Sequence, residues 1–236
     1  MAMWNPWRGC KKCSEGCKYC YIYKGDYKRD IDTSKIVKTK DFNKPIEKFK
    51  NGTYKIKSGI IYLCFSSDFF IEEADDWRDE CWKMIKERGD LDFLFLTKRI
   101  DRFYKCIPKD WHNGYENVII CCTIENQENA DYKLSIFKDL PIKHKCITAQ
   151  PLLEQINIEK YLDGIVLVVV GGESDKKARI LNYDWVLDIR KQCINAKVNF
   201  EFRQCGTNFM KDNKLYKLKV KDLCKQAKLA NINYKV

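Results

Sequence analysis

From residue 59 onward, short apolar runs alternate with stretches whose apolar residues recur at helical spacing. The runs are 60–65 (IIYLCF), 93–96 (FLFL), 118–122 (VIICC), 146–149, 165–170 (IVLVVV) and 200–202. Between them, 75–87 carries Trp77, Cys81, Trp82 and Ile85 at helical spacing; 100–106, 129–137, 156–162 and 185–193 are also read as helices, and 218–230 as a terminal one. A very short strand around 3–5 precedes them. A strand that is apolar throughout must be covered on both faces, and an intervening helix is what covers it. The alternation therefore predicts an α/β fold built on a parallel sheet of about six or seven strands, either doubly wound or a barrel, complete or open. Region 26–58 fits neither period. It reads as an irregular insertion, with a short helix over 44–50, in a single domain spanning 1–236.

Of the 236 residues, 45% are hydrophobic, enough for a substantial core. The longest apolar stretch, 165–170, is far short of the ~18 residues that cross a bilayer, so no membrane segment is expected. The amino-terminal residues show no basic-then-apolar export pattern, which points to a cytoplasmic protein. The formal charge of +11 suggests an anionic partner, a nucleotide or a nucleic acid. Because lysine is spread along the chain, most of this charge is read as a solvated surface, and a small nucleotide is favoured over nucleic acid.

Thirteen cysteines, an odd number without an export signal, argue for reduced thiols or metal ligation rather than a disulfide framework. Cys64, Cys81, Cys106, Cys121, Cys122, Cys146 and Cys193 lie within apolar patterns and are predicted to be small core residues. Four others are crowded: Cys10-Lys-Lys-Cys13-Ser-Glu-Gly-Cys17-Lys-Tyr-Cys20. Thiolates this close suit a soft metal or an iron–sulfur cluster. The three residues between the two pairs weigh against a zinc knuckle, and the spacing also differs from the common four-cysteine ferredoxin run. In parallel α/β folds the chemistry gathers beyond the carboxyl ends of the strands. Here those ends read Ser66-Ser67-Asp68, Thr97-Lys98-Arg99, Thr123-Ile124-Glu125, Gln150, Gly171-Gly172-Glu173-Ser174 and Arg203-Gln204. All are polar, which favours a shared pocket over simple loop exits.

The subset Cys13-x₃-Cys17-x-Tyr19-Cys20 resembles the CxxxCxφC signature of the radical S-adenosylmethionine (SAM) enzymes. Trp4-Asn5-Pro6-Trp7-x-Gly9-Cys10, Ser66-Ser67-Asp68-Phe69-Phe70, Leu96-Thr97-Lys98-Arg99, Glu125-Asn126-Gln127, Gly171-Gly172-Glu173-Ser174 and Arg203-Gln204 extend the likeness along nearly the whole chain. Together they resemble a small phage-type three-Cys-motif family within that superfamily, and within it the queuine-lyase type. The resemblance implies a partial (β/α)₆-type barrel. It implies a [4Fe–4S] cluster on Cys13, Cys17 and Cys20 and reductive cleavage of SAM to a 5′-deoxyadenosyl radical. It further implies an electron donor such as flavodoxin or ferredoxin and, for the lyase type, release of queuine from queuosine 5′-phosphate by C–N cleavage. Cys10 is then a spare thiol. Many radical SAM enzymes carry Gly-Gly-Glu after the second strand, whereas here that strand ends in Ser66-Ser67-Asp68. Tyr19, Ser67, Asp68, Glu125 and Gln150 are accordingly the SAM-contacting candidates, and Glu173 and Arg203 the substrate-binding ones.

Among the remaining residues, His112 and His144 are the only histidines, and neither lies at a clear strand end, so a histidine-centred mechanism is not expected. Trp4 and Trp7 flank the cysteine loop as shields or core rings. Lys98, Arg99, Arg179 and Arg203 are the cationic candidates, and Arg203 is preferred because a guanidinium fork suits phosphate. The competing readings are a radical SAM enzyme acting in DNA repair or protein activation, and a non-enzymatic iron–sulfur or zinc protein that binds nucleic acid.

Overall fold

A computed structural model describes residues 2–236. In chain order the strands are β1 (Ala2–Trp4), β2 (Trp7–Arg8), β3 (Val37–Lys38), β4 (Gly59–Leu63), β5 (Leu91–Thr97), β6 (Val118–Ile124), β7 (His144–Ala149), β8 (Ile165–Gly171), β9 (Leu181–Asn182), β10 (Asn199–Gln204), β11 (Asn208–Lys211) and β12 (Lys214–Lys217). The helices are α1 (Tyr21–Tyr27), α2 (Asp75–Glu87), α3 (Phe103–Cys106), α4 (Gln127–Phe137), α5 (Tyr183–Asn195) and α6 (Leu223–Leu229). The main sheet has seven strands in the order β1-β4-β5-β6-β7-β8-β10. Its first and last strands are not paired with each other, so the sheet is open, as a partial (β/α)₆-type arrangement requires. Every apolar run read from the sequence is one of its strands, and the short strand at the amino terminus is β1, parallel to β4.

The chain forms two compact units, whose boundary falls within β6. The first comprises 1–11, 25–121 and 140–144; the second comprises 12–24, 122–139 and 145–236. The core of the first unit is aromatic. Phe69 meets Phe95 at 4.9 Å and Trp82 at 5.1 Å between ring centroids, and Phe70 meets Phe95 at 5.2 Å. The buried indoles of Trp82 and Trp111 donate to the carbonyls of Cys106 (2.6 Å) and Pro141 (2.7 Å), so no polar edge is stranded.

The insertion 26–58 wraps the segment that follows β1. Thr39 bonds the carbonyls of Asn5 and Pro6, Trp4 donates to Phe42, and β3 pairs antiparallel with β2. Arg88, fully buried, reaches the Pro45 and Ile56 carbonyls and the Asp90 carboxylate, pinning the insertion to α2. The helix expected over 44–50 is only a 3₁₀ turn at Lys44–Ile46. The chain reverses directly afterwards, with Phe49 N–H bonded to the Thr53 carbonyl at 2.8 Å.

In the second unit, β8 runs parallel to both β7 and β10. The helix expected over 156–162 is reduced to a turn at Glu159–Tyr161. Side chains have taken its backbone groups: Gln192 bonds the Ile156 carbonyl and the Ile158 N–H, and Gln127 bonds both backbone groups of Asn157. The terminal helix is also shorter than expected: Leu218 N–H bonds the Thr207 carbonyl at 2.8 Å and a 3₁₀ turn takes Val220–Asp222, and β11 and β12 precede it as a hairpin. Its turn residues, Asp212 and Asn213, have φ of 50° and 58°, the mirror-image geometry of a two-residue hairpin.

Phe95 is fully buried among three aromatic neighbours. Phe95→Ala is expected to lower the free energy of unfolding by about 3–5 kcal/mol in denaturant titration, since the surrounding rings cannot collapse into the void. A loss below about 1.5 kcal/mol would show that this cluster does not carry the first unit.

Candidate functional site

The cysteine loop belongs to the second unit and is moored there by two buried carboxylates. The first is Glu125, which directly follows β6 and is fully buried. Ser14, next to Cys13, donates to its Oε1 at 2.5 Å, and Ser14 Oγ lies 3.6 Å from Cys17 Sγ. The other oxygen, Oε2, takes a bond from Lys133 at 3.2 Å, and the same ammonium reaches the Thr123 carbonyl at 3.1 Å. Burying a carboxylate alone costs several kcal/mol, and the Lys133 ammonium is the compensating charge. Lys133 is delivered by α4, which begins just after β6 with Asn126 as its cap: the side-chain Oδ1 of Asn126 accepts the Asn129 N–H at 2.9 Å.

The second anchor is Glu173, which follows β8 and is 6% exposed. Its Oε2 accepts the Arg179 backbone N–H at 2.7 Å and the side-chain Nε–H at 3.2 Å, and a further guanidinium nitrogen bonds Oε1. These bonds raise Arg179 further above its already high ordinary value. The same guanidinium donates to the Glu15 carbonyl at 2.9 Å and lies 5.8 Å from the Tyr19 ring centroid. Arg179 thus grips the loop between Cys13 and Cys20. Lys24 adds an ion pair to Asp175 at 2.8 Å, which holds that carboxyl below its usual range.

Close backbone packing completes this end of the sheet. A Cβ on Gly172 would stand 2.8 Å from the Gly206 Cα and 3.0 Å from the Cys205 carbonyl oxygen. Gln204 donates to the Gly172 carbonyl at 2.6 Å, and Gln150, after β7, lies against Gly171.

In the first unit, the other sequence motifs interlock. Asp68 is 4% exposed and accepts four bonds: Phe70 N–H and the Thr97 hydroxyl on one oxygen, Lys98 N–H and Arg99 on the other. An ionised carboxylate has about four acceptor positions, so the chain itself fills this one. Asp68 is thereby fixed in place by the chain's own donors. Ser67 donates to the Gly9 carbonyl, and Arg99 bonds the Lys11 carbonyl at 2.6 Å. Gly9 has φ +90°, and a side chain there would run into the Lys35 carbonyl. Trp7 stacks on Phe69 at 5.3 Å, in the aromatic core.

Residues 1–231 match the family model described as protein of unknown function (DUF5131). The chain belongs to this DUF5131 family. No curated protein and no solved structure matches it.

In this DUF5131 chain the candidate residues divide. Tyr19, Glu125, Gln150 and Glu173 share the second unit with Cys13, Cys17 and Cys20. Arg203 does not end its strand: it lies within β10, exposed, with its fork on Glu201 at 3.0 Å for both bonds. That pairing follows from strand geometry, since residues two apart share a face. Sequence reasoning missed Ser14 and Lys133, and it rated Arg179 a surface charge. Lys133 did carry a signal: it falls on the apolar face of α4 with Ala130, Leu134 and Phe137, where a lysine needs a buried acid.

Three thiols on one short loop, with no histidine among them, form a donor set that fits an iron–sulfur cluster. Among the described residues, no group of three His, Cys, Asp or Glu side chains surrounds a single point as one ion would require. Elsewhere the thiols are of another kind. Burial pushes Cys64 and Cys81 far up, and Cys193 and Cys205 to about 12, so these remain protonated core residues.

Glu125→Ala would leave the Lys133 ammonium buried without its counter-charge. It is expected to cost about 3–5 kcal/mol in unfolding free energy. The Glu125→Gln/Lys133→Met double variant, which removes both charges, is expected to cost less. A single-variant loss under about 1 kcal/mol would show that the pair does not anchor the loop.

Proposed function

We propose that this chain is a radical SAM enzyme acting on a nucleotide-like substrate, a carbon–nitrogen lyase of the queuine-lyase type. The observation that carries the reading is the Cys13/Cys17/Cys20 loop, moored by Ser14–Glu125–Lys133 and by Arg179–Glu173 at the ends of parallel strands. Such double mooring is unnecessary for a solvated surface loop and is what ligands to a cluster need, because ligand position is set by the bonds behind the ligands.

Cys13, Cys17 and Cys20 would hold a [4Fe–4S] cluster, with SAM beside Tyr19, Glu125 and Gln150. When bound, this pair supplies a one-electron reductant and a hydrogen-abstracting radical, chemistry no side chain provides. The protein's part is orientation. Ser14 fixes the loop beside Cys17, and Lys133 lets Glu125 be buried at the end of β6. Arg179 holds the Glu15–Tyr19 span rigid through Glu173. Cys10 is tied through its N–H to the Thr33 carbonyl at 2.8 Å, in the compact unit that does not hold the other three thiols. In this reading it is not a ligand.

Anaerobic reconstitution with iron and sulfide tests the proposal. The wild-type chain and Cys10→Ala should each bind about four irons, while Cys13→Ala, Cys17→Ala and Cys20→Ala should not assemble the cluster. Reduction with SAM should yield 5′-deoxyadenosine. Equal iron loss in Cys10→Ala and Cys13→Ala would overturn the three-ligand assignment. Free base released from queuosine 5′-phosphate faster than from queuosine is the outcome the lyase reading requires. No release from either would reject that substrate while leaving the cluster result standing.

A further inference from the structure

The carboxyl-terminal part of the second unit holds a feature that the cysteine loop does not use. β10, the β11–β12 hairpin, α5 and α6 enclose a cavity of about 300 Å³. Tyr183, Phe202, Phe209 and Tyr216 line it, with Lys211 and Gln226 as polar groups. Three of the rings form one cluster, with centroids 5.7–6.2 Å apart, and Tyr216, 38% exposed, stands at the rim.

The charge around this cavity is one-sided. Residues 211–228 hold seven lysines, all exposed, against two acids, Asp212 and Asp222. Although lysine is spread along the whole chain, it is densest in this segment. Elsewhere many lysines pair with carboxylates, as Lys24, Lys86, Lys133 and Lys143 do. Among the described residues none of these seven forms an ion pair. Lys211 and Lys214 stand directly opposite each other in the hairpin register, a like-charge pairing that costs stability, and their ammoniums lie 5.3 Å from the Tyr183 and Tyr216 ring centroids respectively. Lysines on an exposed edge strand also prevent edge-to-edge pairing. That explanation covers Lys214 and Lys217 but not Lys219, Lys221, Lys225 and Lys228, which lie beyond the strand.

We infer that this face binds single-stranded nucleic acid, with a base stacked at Tyr216 over the aromatic cavity and successive phosphates on the lysines. Rings take the flat face of any base, and lysines track a backbone as point charges. One nucleotide would use only a fraction of the seven cations, which favours a strand over a free nucleotide. An acidic peptide would satisfy the lysines but offer the rings no planar group. The inference does not depend on the cluster chemistry, and its test needs no cluster.

Fluorescence anisotropy with a short labelled oligoadenylate, titrated at several salt concentrations, reads the binding. The affinity should fall with salt with a log–log slope of about −0.7 per phosphate neutralised. Tyr216→Ala should weaken binding about 5- to 100-fold, the span of one lost base stack. Lys214→Glu should weaken binding at least tenfold and flatten the slope. It should also raise the thermal midpoint, because it turns a like-charge cross-strand pair with Lys211 into an opposite-charge one. Opposite signs for binding and stability separate a ligand-binding role from a structural one. Binding unchanged in both variants, AMP binding as tightly as the oligomer, or oligoglutamate competing equally would each overturn the inference.

Discussion

The fully buried Glu125 carboxylate sits where the requirements of the sheet and of the cysteine loop meet. It directly follows β6, so its position is set by the main sheet. Being buried, it requires a cation, and α4 supplies Lys133 eight residues later. Being acceptor-only, it requires further donors, and Ser14 supplies one from the cysteine loop. Strand end, helix start and loop are thereby fixed by one charge that cannot be left unpaired. The same logic recurs at Glu173, where Arg179 closes a six-residue loop on itself and uses the same Nη2 to donate to the Glu15 carbonyl. A loop of 3₁₀ and irregular structure with little apolar surface cannot hold its own shape. These two carboxylates give it one.

Thiols in this chain fall into two populations with different physical roles. The buried cysteines outside the loop, such as Cys64 and Cys193, are small apolar fillers, kept protonated by burial and therefore poor nucleophiles and poor ligands. The loop cysteines are graded in exposure, from exposed Cys13 through half-buried Cys20 to buried Cys17, and sit among hydrogen-bonding groups. An inventory by composition cannot tell the two apart; their surroundings can.

The insertion 26–58 also has a role that its irregular sequence concealed. It supplies backbone carbonyls, at Phe42, Pro45 and Ile56, to the buried polar ends of Trp4 and Arg88. Irregular chain is suited to this task because its carbonyls are not committed to a ladder or a helix.

The sequence by itself determined the seven parallel strands, their order of appearance and the crowding of the cysteines. Those features are local: an apolar run three to six residues long, or thiols with three and two residues between them, signal themselves without reference to anything distant. It also placed polar residues at every strand end, but it could not say which of them face a ligand. Asp68 and Glu125 look alike in sequence, yet four donors of the chain itself surround the first, while the second reaches across 111 residues to Ser14. The partners of Arg179 and Arg203 were hidden for the same reason. Whether a guanidinium fork meets Glu201 on its own strand or Glu173 and the cysteine loop depends on where the chain returns. The helices lost at 44–50 and 156–162 were decided in the same way. Helical spacing was present in both, but in the second, side chains of Gln127 and Gln192 had already claimed the backbone groups. Hydrogen-bond partners far apart in sequence are chosen only when the chain closes on itself. That choice belongs to the tertiary structure.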